Sequence, residues 1–354
     1  MYYDDNGYID VAKLMEKDQA VYKFIVGARG IGKTFGILKW MIDQYRDTGN
    51  KFVYLRRTQV QVDMIKTPEL NPFKALEDEL GADYAFILNG INKNVTGIYK
   101  QEYDPDKNLY VPVGAPIGYI LALSTIANIR GIGGSDIVHI LYDEFIGERH
   151  EKPIKSEGTA FLNALETIGR NRELKGLPPL PVTCASNSVN LGNALFVELK
   201  FITSIEKALK KGTEHIYLPD RDTSIYILKD NPISKKKAKT SLYRLAGTES
   251  DFSRMSLSNE FNREYMGQVK SRNLKDYIPL CNVGELCIYR HKARREWYIT
   301  EHASGKPKDT YESSDIEIKR WSNDYYYLKL AYLNRHIFFE SYIQQVLFER
   351  YMKI

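Results

Sequence analysis

The N-terminal part of the sequence carries an unbroken phosphate-binding motif. Residues 27–34 read GARGIGKT and match the pattern G-x-x-x-x-G-K-[ST] without a gap. Glycines let the backbone wrap closely around a phosphate, while the loop amides and the following helix N-terminus direct partial positive charge inward. Lys33 is expected to reach the β- and γ-phosphates of ATP, and the Thr34 hydroxyl to bind Mg²⁺. The predicted nucleotide-binding residues are Gly27, Arg29, Gly30, Gly32, Lys33 and Thr34.

An acidic pair follows an apolar segment farther along the chain. In the run IVHILYDE the two acids are Asp143 and Glu144. At the C-terminal end of a buried strand they would lie beside the phosphate-binding loop, where ligands bind in open α/β sheets. We expect Asp143 to hold Mg²⁺ through water, and Glu144 to orient and deprotonate the attacking water. The structural alternative is an acidic pair that caps the next element. Within the catalytic interpretation, a kinase or a switch GTPase does not need the second acid, so the pair favours an enzyme that hydrolyses ATP repeatedly.

Asn187 is a further polar candidate for the same site. Ser186 and Asn187 directly follow the apolar run Val182–Ala185. A polar side chain at this position can touch both the attacking water and the γ-phosphate, which would make Asn187 a sensor of the bound nucleotide. An Asx-type turn that closes the strand explains the same residues equally well.

Hydrolysis also requires positive charge opposite the γ-phosphate, beyond what the loop lysine supplies. In the helix predicted over residues 161–168, a rotation of 100° per residue turns Arg170 outward and returns Arg172 to the apolar face. Arg170 is therefore available to a neighbouring subunit, unless Gly169 ends the helix early. Arg130, which precedes the acidic strand, is a second candidate. A plain surface charge is the alternative for either arginine.

The elements that must position these residues alternate between strand and helix, which is typical of a parallel sheet covered by helices. A helix is predicted over Phe35–Tyr45, because its apolar residues share one face and Gly49 follows its end. The stretch Leu177–Pro181 contains three prolines and is predicted to be a connection. The predicted buried strands are Tyr22–Val26, Phe52–Leu55, Tyr119–Leu123, Ile137–Tyr142 and Val182–Ala185.

The pattern changes after about residue 230. A basic segment follows Asn231–Pro232, and Leu286–Tyr289 with Trp297–Thr300 then predicts a hairpin. A short strand at His336–Phe339 and a final helix over Ser341–Tyr351 complete the pattern. We infer three parts: an α/β motor-type domain, a basic linker region and a small C-terminal α/β domain.

The net charge of +5 is unevenly distributed along the chain. Residues 229–275 contain eleven Lys/Arg and five Asp/Glu, a net of +6, so the remainder sums to −1. A solvated face is one explanation of such a run. The other is a basic surface that binds a polyanion through its phosphates and without sequence specificity. The densest part of the segment, and the candidate nucleic-acid contact, consists of Lys235, Lys236, Lys237 and Lys239.

The composition is that of an ordinary soluble protein, 43% hydrophobic and 27% charged. The longest apolar stretches have the length of strands, so no membrane span is expected. The acidic, polar N-terminus does not have the pattern of a signal peptide. Three cysteines cannot all pair, and buried thiols in a reducing cytoplasm are expected.

Four segments together resemble a known family. FIVGARGIGKT, ILYDEFIGE, LETIGRNREL and CASNSVN occur in this order and at similar intervals in the DNA-packaging ATPases of small, short-tailed phages that replicate by protein priming. The resemblance extends over nearly the whole chain, including YRLAGTESDFSRMSLSNEF and, more loosely, FFESYIQQVLFER. The first three segments are specific to the family.

The resemblance implies an ASCE-type P-loop ATPase domain with a mostly parallel sheet at residues 1–230. It further implies a small linker domain at 231–269 and an RNase H-like domain, a vestigial nuclease, at 270–354. Five copies would form a ring at the portal of an empty capsid and drive double-stranded DNA inward, in the cytoplasm of the infected bacterial host. Arg170 matches the family's trans-acting arginine finger, and Arg130 matches a basic residue at the same subunit boundary. A packaging RNA is a further partner that the resemblance leaves open.

The leading hypothesis is an ATP-driven motor that packages duplex DNA. One alternative is a complete terminase that also cleaves DNA, and another is a nucleotide-gated capsid assembly factor whose ATP turnover is indifferent to DNA. The candidate nuclease strand, LCIYRH, ends in cations where a two-metal nuclease needs a carboxylate. The acids that leave a rearranged nuclease site open are Asp276, Glu301, Asp315 and Glu340.

Overall fold

A computed structural model describes residues 2–129, 135–147, 151, 153–187, 190–229, 231–247, 250–258 and 267–354. The chain forms two compact units. The first comprises residues 1–199 and 211–261, and the second comprises residues 200–210 and 262–354. The basic segment after residue 230 therefore belongs largely to the first unit, and the domain bounds 1–230, 231–269 and 270–354 stay a prediction.

Strands and helices of the described residues are numbered in chain order. The strands are β1 (Tyr22–Gly27), β2 (Lys51–Arg56), β3 (Phe86–Asn92), β4 (Val95–Asp104), β5 (Leu109–Ala122), β6 (Ile137–Asp143), β7 (Val182–Ser186), β8 (His215–Leu218), β9 (Thr223–Leu228), β10 (Tyr277–Val283), β11 (Leu286–His291), β12 (Trp297–Thr300), β13 (Asp309–Tyr311) and β14 (Ile337–Phe339). The α-helices are α1 (Val11–Lys17), α2 (Lys33–Thr48), α3 (Gln59–Ile65), α4 (Pro72–Leu80), α5 (Glu157–Gly169), α6 (Ala194–Glu198), α7 (Ile202–Lys211), α8 (Pro232–Lys237), α9 (Ser241–Ala246), α10 (Asp251–Ser258), α11 (Asp315–Asp324), α12 (Tyr326–Leu333) and α13 (Tyr342–Met352). Short 3-10 helices lie at Pro68–Leu70, Ala82–Tyr84, Leu123–Asn128, Glu173–Lys175, Pro219–Arg221 and Leu274–Asp276.

The first unit is built on a mostly parallel sheet, which confirms the predicted fold class. Its nine strands lie in the order β3-β4-β5-β2-β6-β7-β1-β9-β8. From β5 to β9 every neighbouring pair is parallel, and only the two edges are antiparallel. The carboxyl ends of the parallel strands therefore meet at one edge of the sheet, where ligands bind in folds of this type.

The central strands are buried along almost their whole length. All six positions of β1 except Tyr22 are buried, and β7 is buried throughout. Strands that are buried on both faces lack polar alternation, which is why they were recognisable as apolar runs. The strands predicted from Tyr22, Phe52, Ile137 and Val182 are confirmed, each extended by one or two residues.

An antiparallel extension of the sheet was not predicted. The segment predicted as a strand at Tyr119–Leu123 is the end of a longer strand, β5, which begins at Leu109. The first half of β5 pairs with β4, from Asp104 opposite Leu109 onward, and most of its residues are exposed. Pro112, Gly114 and Pro116 interrupt the apolar residues of this part, and because proline and glycine are typical of turns and loops, the sequence pattern does not indicate a strand there.

The second unit is also an α/β structure. Its five strands lie in the order β13-β10-β11-β12-β14. β10, β11 and β12 are antiparallel, whereas β13 and β14 run parallel to their neighbours. The predicted hairpin of β11 and β12 is confirmed, as is the final helix, whose capping residue is Ser341. Trp321 is fully buried in this unit and packs edge-on against Phe348.

All three cysteines, Cys184, Cys281 and Cys287, are buried and unpaired, as expected. Within the described parts of the chain, no helix combines the length and the apolar character that crossing a bilayer would require. The same residues contain no cluster of three or more His, Cys, Asp or Glu side chains suited to a metal ion.

His139 should make the stability of the first unit sensitive to acid. It is buried in β6, where its Nε2 lies 2.9 Å from the Thr183 hydroxyl, and burial lowers the pKa of His139 to about 3. The unfolded chain binds a proton near pH 6.5 and the folded chain does not, so the free energy of unfolding falls as pH drops below 6.5. Between pH 7.5 and 5.5 we expect a loss of about 1.4 kcal/mol from this residue.

The measurement is urea unfolding of wild type, His139→Leu and His302→Asn at both pH values. His302 is largely exposed, so its substitution serves as the control. The loss between the two pH values should shrink in His139→Leu and persist in His302→Asn. An equal loss in all three proteins would show that His139 is not the responsible group.

Candidate functional site

The phosphate-binding motif forms the turn between β1 and α2. Gly30 and Gly32 have φ angles of 73° and 86°, a left-handed conformation that glycine adopts without strain. Gly32 caps α2, whose first residue is Lys33. The N-terminus of a sixteen-residue helix therefore faces the loop, and its free amides provide a site for an anion.

Lys33 lies inside the curve of the loop. Its Nζ donates hydrogen bonds to the carbonyl oxygens of Gly27 and Ala28, at 2.9 and 2.8 Å, and to Asn187 Oδ1 at 3.1 Å. Burial lowers the pKa of Lys33 to about 7, although Asp143 and Glu144 act in the opposite direction. Within the described part of the chain, the hydrogen-bond acceptors of this buried ammonium group are neutral oxygens, and a phosphate group would supply a charged one.

Asp143 is the last residue of β6 and is buried beside the loop. Its Oδ1 accepts a hydrogen bond from the Thr34 hydroxyl at 2.9 Å, and its Oδ2 accepts one from the Tyr54 hydroxyl at 3.0 Å. Burial raises the pKa of Asp143, and Arg56 opposes that shift. The hydroxyl of Thr34 and the carboxylate of Asp143 are oxygen donors of the kind that Mg²⁺ prefers, so this pair fits the predicted metal site.

Arg56 binds both acids and was not predicted to do so. Its Nη1 lies 2.9 Å from Asp143 Oδ2, and its Nη2 lies 2.5 Å from Glu144 Oε2. Burial alone would lower the pKa of Arg56, but Tyr54, Asp143 and Glu144 outweigh it and raise that pKa. The sequence did contain a signal, since Arg56 ends β2, which is adjacent to β6 in the sheet. Two neighbouring parallel strands that end in opposite charges bring those charges together.

Glu144 differs from Asp143 in its freedom to move. Its backbone has a φ of 53°, and half of its side chain is exposed, whereas 4% of the Asp143 side chain is exposed. A salt bridge with one solvated partner is worth about 1 kcal/mol or less. Glu144 can therefore leave Arg56 at little cost, whereas Asp143 is fixed by three side chains.

Arg57, the next residue, faces a different partner. Its Nε and Nη2 donate to the two carboxylate oxygens of Glu157, at 2.7 and 2.9 Å, and it also pairs with Glu151. Glu157 is the first residue of α5 and accepts a further hydrogen bond from Tyr142 at 3.2 Å. This buried, two-point pair ties the end of β2 to the start of α5.

Asn187 reaches the loop from the end of β7. Its Oδ1 accepts the hydrogen bond from Lys33, and the neighbouring Ser186 Oγ accepts one from the backbone N–H of Ile146 at 3.2 Å. Both residues line a cavity of about 420 Å³, a volume that suits a small ligand. Among the described residues, the cavity is lined by Arg29, Gly30, Gly32, Lys33, Thr34, Phe35, Asp143, Glu144, Ser186 and Asn187.

Arg170 lies away from this cavity. α5 ends at Gly169, and Arg170 follows in a left-handed conformation with its side chain exposed. It lines a second cavity together with Tyr22 and Val182, which are the first residues of β1 and β7. The phosphate-binding loop follows the opposite end of β1, and the six residues of that strand span roughly 17 Å.

Arg172 is buried, as expected, but it is not buried because it lies on the apolar face of a helix. It lies beyond the end of α5 and donates hydrogen bonds to the carbonyl oxygens of Pro178 and Ile137, both at 2.8 Å. Arg130 lies outside the described residues, so its predicted role stays a prediction.

The lysines of the basic segment do not share one environment. Lys235, Lys236 and Lys239 are exposed, and Lys236 also donates to the carbonyl oxygen of Asn6 at 3.3 Å. Lys237 donates to the carbonyl oxygen of Arg29 in the phosphate-binding loop, at 2.7 Å. The predicted contact of these lysines with nucleic acid stays a prediction.

Comparison with known proteins gives a family match over most of the chain. The family described as podovirus DNA encapsidation protein (Gp16) matches residues 3–281. The DNA packaging protein of Bacillus phage phi29 is 24% identical over 366 aligned positions, which cover 99% of both chains. The DNA packaging protein of Bacillus phage B103 is also 24% identical, over 94% of this chain and 97% of its own.

Two solved structures are similar in fold. The structure described as the phi28 gp11 DNA packaging motor has a TM-score of 0.64 at 18% identity and covers 97% of each chain. The structure described as the bacteriophage phi29 viral genome packaging motor assembly has a TM-score of 0.62 at 18% identity, over 98% of this chain and 99% of that one.

Removing Arg56 should destabilise the first unit, because Asp143 would be left buried without its cation. We expect Arg56→Met to lower the free energy of unfolding by about 3–5 kcal/mol. The control is Lys39→Met, whose pair with Asp43 is partly exposed and should be worth about 1 kcal/mol or less. Urea unfolding measures both, and Asp143→Asn in the Arg56→Met background should recover part of the loss. Similar losses for Arg56→Met and Lys39→Met would contradict the assignment.

Proposed function

Because the chain belongs to the podovirus DNA encapsidation protein (Gp16) family, whose function is DNA packaging, we propose that it is the motor that hydrolyses ATP to drive double-stranded DNA into a procapsid. One observation carries the proposal: the loop lysine Lys33, the Thr34–Asp143 pair and Glu144 all face one cavity. These are the groups that grip a triphosphate, bind its metal ion and direct water toward it.

The nucleotide would bind with its phosphates against the loop of residues 27–34. The amides of the loop and of the first turn of α2 would surround the β-phosphate, and Lys33 would contact the β- and γ-phosphates. Thr34 would hold Mg²⁺ directly and Asp143 would hold it through water. The ion, when bound, neutralises charge on the β- and γ-phosphate oxygens.

Glu144 is the proposed general base. For this role it must leave Arg56, and because its side chain is half exposed, breaking that salt bridge costs little free energy. Asp143 would stay in place, since Thr34, Tyr54 and Arg56 hold it. Asn187, whose amide oxygen contacts Lys33, would detect the γ-phosphate beside the attacking water.

We propose that Arg170 acts on the site of a neighbouring subunit. Its exposure, and its position at the edge of the sheet opposite the loop, support action between subunits over action within one. Arg130 would lie at the same boundary. A ring of subunits, five by resemblance to the family, would then have one complete site at each interface and would act at the portal vertex of the procapsid, in the cytoplasm of the infected host.

The second unit would contact the portal and, where one is used, a packaging RNA, without cutting DNA. β11 ends in the exposed Arg290 and the buried His291. A two-metal nuclease needs a carboxylate at the end of this central strand, so the two cations there favour a packaging motor over a complete terminase.

Glu144→Gln tests the hydrolytic role and the function together. The amide keeps the shape of the side chain but cannot accept the proton of water, so ATP turnover should fall about 100-fold or more while ATP binding persists. Steady-state turnover is measured with and without duplex DNA at low salt, where the wild type should be stimulated. Turnover of the wild type that ignores duplex DNA would instead favour a nucleotide-gated assembly factor.

Arg170→Ala tests whether the site is shared between subunits. Turnover should fall about 1,000-fold, because an arginine that neutralises transition-state charge is lost. Mixing Arg170→Ala with Glu144→Gln should restore part of the activity, since one partner supplies the base and the other the arginine. The control mixes Arg170→Ala with the Arg170→Ala/Glu144→Gln double variant, which supplies neither. If both mixtures stay inactive, Arg170 acts within its own subunit.

A further inference from the structure

Lys237 connects the basic segment to the phosphate-binding loop. Its Nζ donates a 2.7 Å hydrogen bond to the carbonyl oxygen of Arg29, 208 residues earlier in the sequence. A Cβ placed on the next residue, Gly30, would lie 3.1 Å from the same ammonium nitrogen. The ammonium group of Lys237 therefore packs directly against the middle of the loop.

The helix that carries Lys237 is held firmly in position. Asn231 is buried, and its side chain caps α8 by accepting a 2.7 Å hydrogen bond from the backbone N–H of Ser234. Ile233 and Ser234 are buried as well. Lys237 is thus the last residue of a short helix whose opposite end is anchored in the first unit, which restricts where its ammonium group can lie.

Lys237 also contacts the helices that follow. Its Nζ lies 5.7 Å from the centre of the Tyr243 ring, within the range of a cation–π interaction. Tyr243 is buried in α9 and stacks on Phe252 of α10, with 5.7 Å between ring centroids. A displacement of Lys237 would therefore be transmitted to α9 and α10.

The surroundings of Lys237 favour an anion. Its hydrogen-bond acceptor is the neutral carbonyl of Arg29, and no carboxylate of the described residues forms an ion pair with it. Its charge also contributes, after burial, to the lowered pKa of Lys33, so the two ammonium groups lie within electrostatic reach of each other. Two like charges beside one loop repel each other until an anion lies between them.

The position of Lys33 indicates which phosphate Lys237 would meet. A lysine of this motif reaches the β- and γ-phosphates, and the Lys33 ammonium lies against Gly27 and Ala28. Arg29 is the next residue of the loop. Lys237 is hydrogen-bonded to Arg29, so its ammonium lies outside the cavity lining but beside the part of the loop that Lys33 occupies, where the γ-phosphate is expected.

We propose that Lys237 is a second phosphate-binding lysine of the ATP site, which binds the γ-phosphate and transmits its presence to α9 and α10. This inference rests on the proposed function. It separates Lys237 from Lys235 and Lys239, whose exposed side chains remain available to a polyanion. In exchange for the carbonyl of Arg29, the ammonium group gains a charged acceptor, which forms the stronger hydrogen bond.

The test compares equilibrium binding of fluorescent ATP and ADP, with Mg²⁺, to the full chain and three variants. Lys237→Met should weaken ATP binding about tenfold and ADP binding less than about threefold, because only ATP presents the γ-phosphate. Lys237→Arg keeps the charge and should keep ATP affinity within about threefold of the wild type. Lys235→Met removes the same charge from the exposed face of α8 and should bind both nucleotides like the wild type.

The possible outcomes distinguish a failure of this inference from a failure of the proposed ATPase function. A wild type that binds no ATP would overturn both. If the wild type binds ATP and Lys237→Met weakens ATP and ADP equally, or neither, Lys237 is structural and the inference is wrong. Equal loss in Lys237→Arg and Lys237→Met would overturn it as well, because a phosphate contact requires the charge and not the shape of lysine.

Discussion

The buried ammonium group of Lys33 is the interaction on which the site depends. It lies at the N-terminus of α2, where the peptide dipoles already place positive potential, and its hydrogen bonds go to neutral oxygens. Such an arrangement is costly in a protein interior unless an anion shares it. The loop glycines, the buried Asp143 and the amide of Asn187 are arranged around that one charge, and each reaches it from a different strand end of the same sheet.

The two acids that follow β6 differ in mobility although they are adjacent in sequence. Asp143 completes the strand and is enclosed by Tyr54, Thr34 and Arg56, so it can hold a metal ion at a fixed place. Glu144 has left the strand through a left-handed backbone conformation and is half exposed. A fixed acid and a mobile acid suit the separate tasks of binding a metal ion and moving a proton.

Local patterns predicted the loop, the acidic strand and the helix that follows the loop, because strand burial and glycine geometry act over a few residues. The antiparallel extension was not predicted, since Pro112, Gly114 and Pro116 interrupt the exposed half of β5. The contacts of Arg56 and Lys237 join residues 87 and 208 positions apart, and only the folded chain brings them together. For Arg56, knowledge that β2 and β6 are neighbours would have been enough to predict its contact with the two acids. For Lys237 no pattern in the sequence indicates a contact with the loop, since the four lysines in the densest part of the segment do not differ in any sequence pattern.

Arg56 and Arg57 are consecutive residues with partners in different parts of the unit. Arg56 holds the acids of the cavity, while Arg57 holds Glu157 at the first turn of α5. The far end of that helix leads into Arg170. One peptide unit thus joins the arginine that holds the acids of the cavity to the arginine that holds the thirteen-residue helix α5. A movement of Arg56 would therefore also move Arg57 and, through Glu157, the helix whose last residue precedes Arg170.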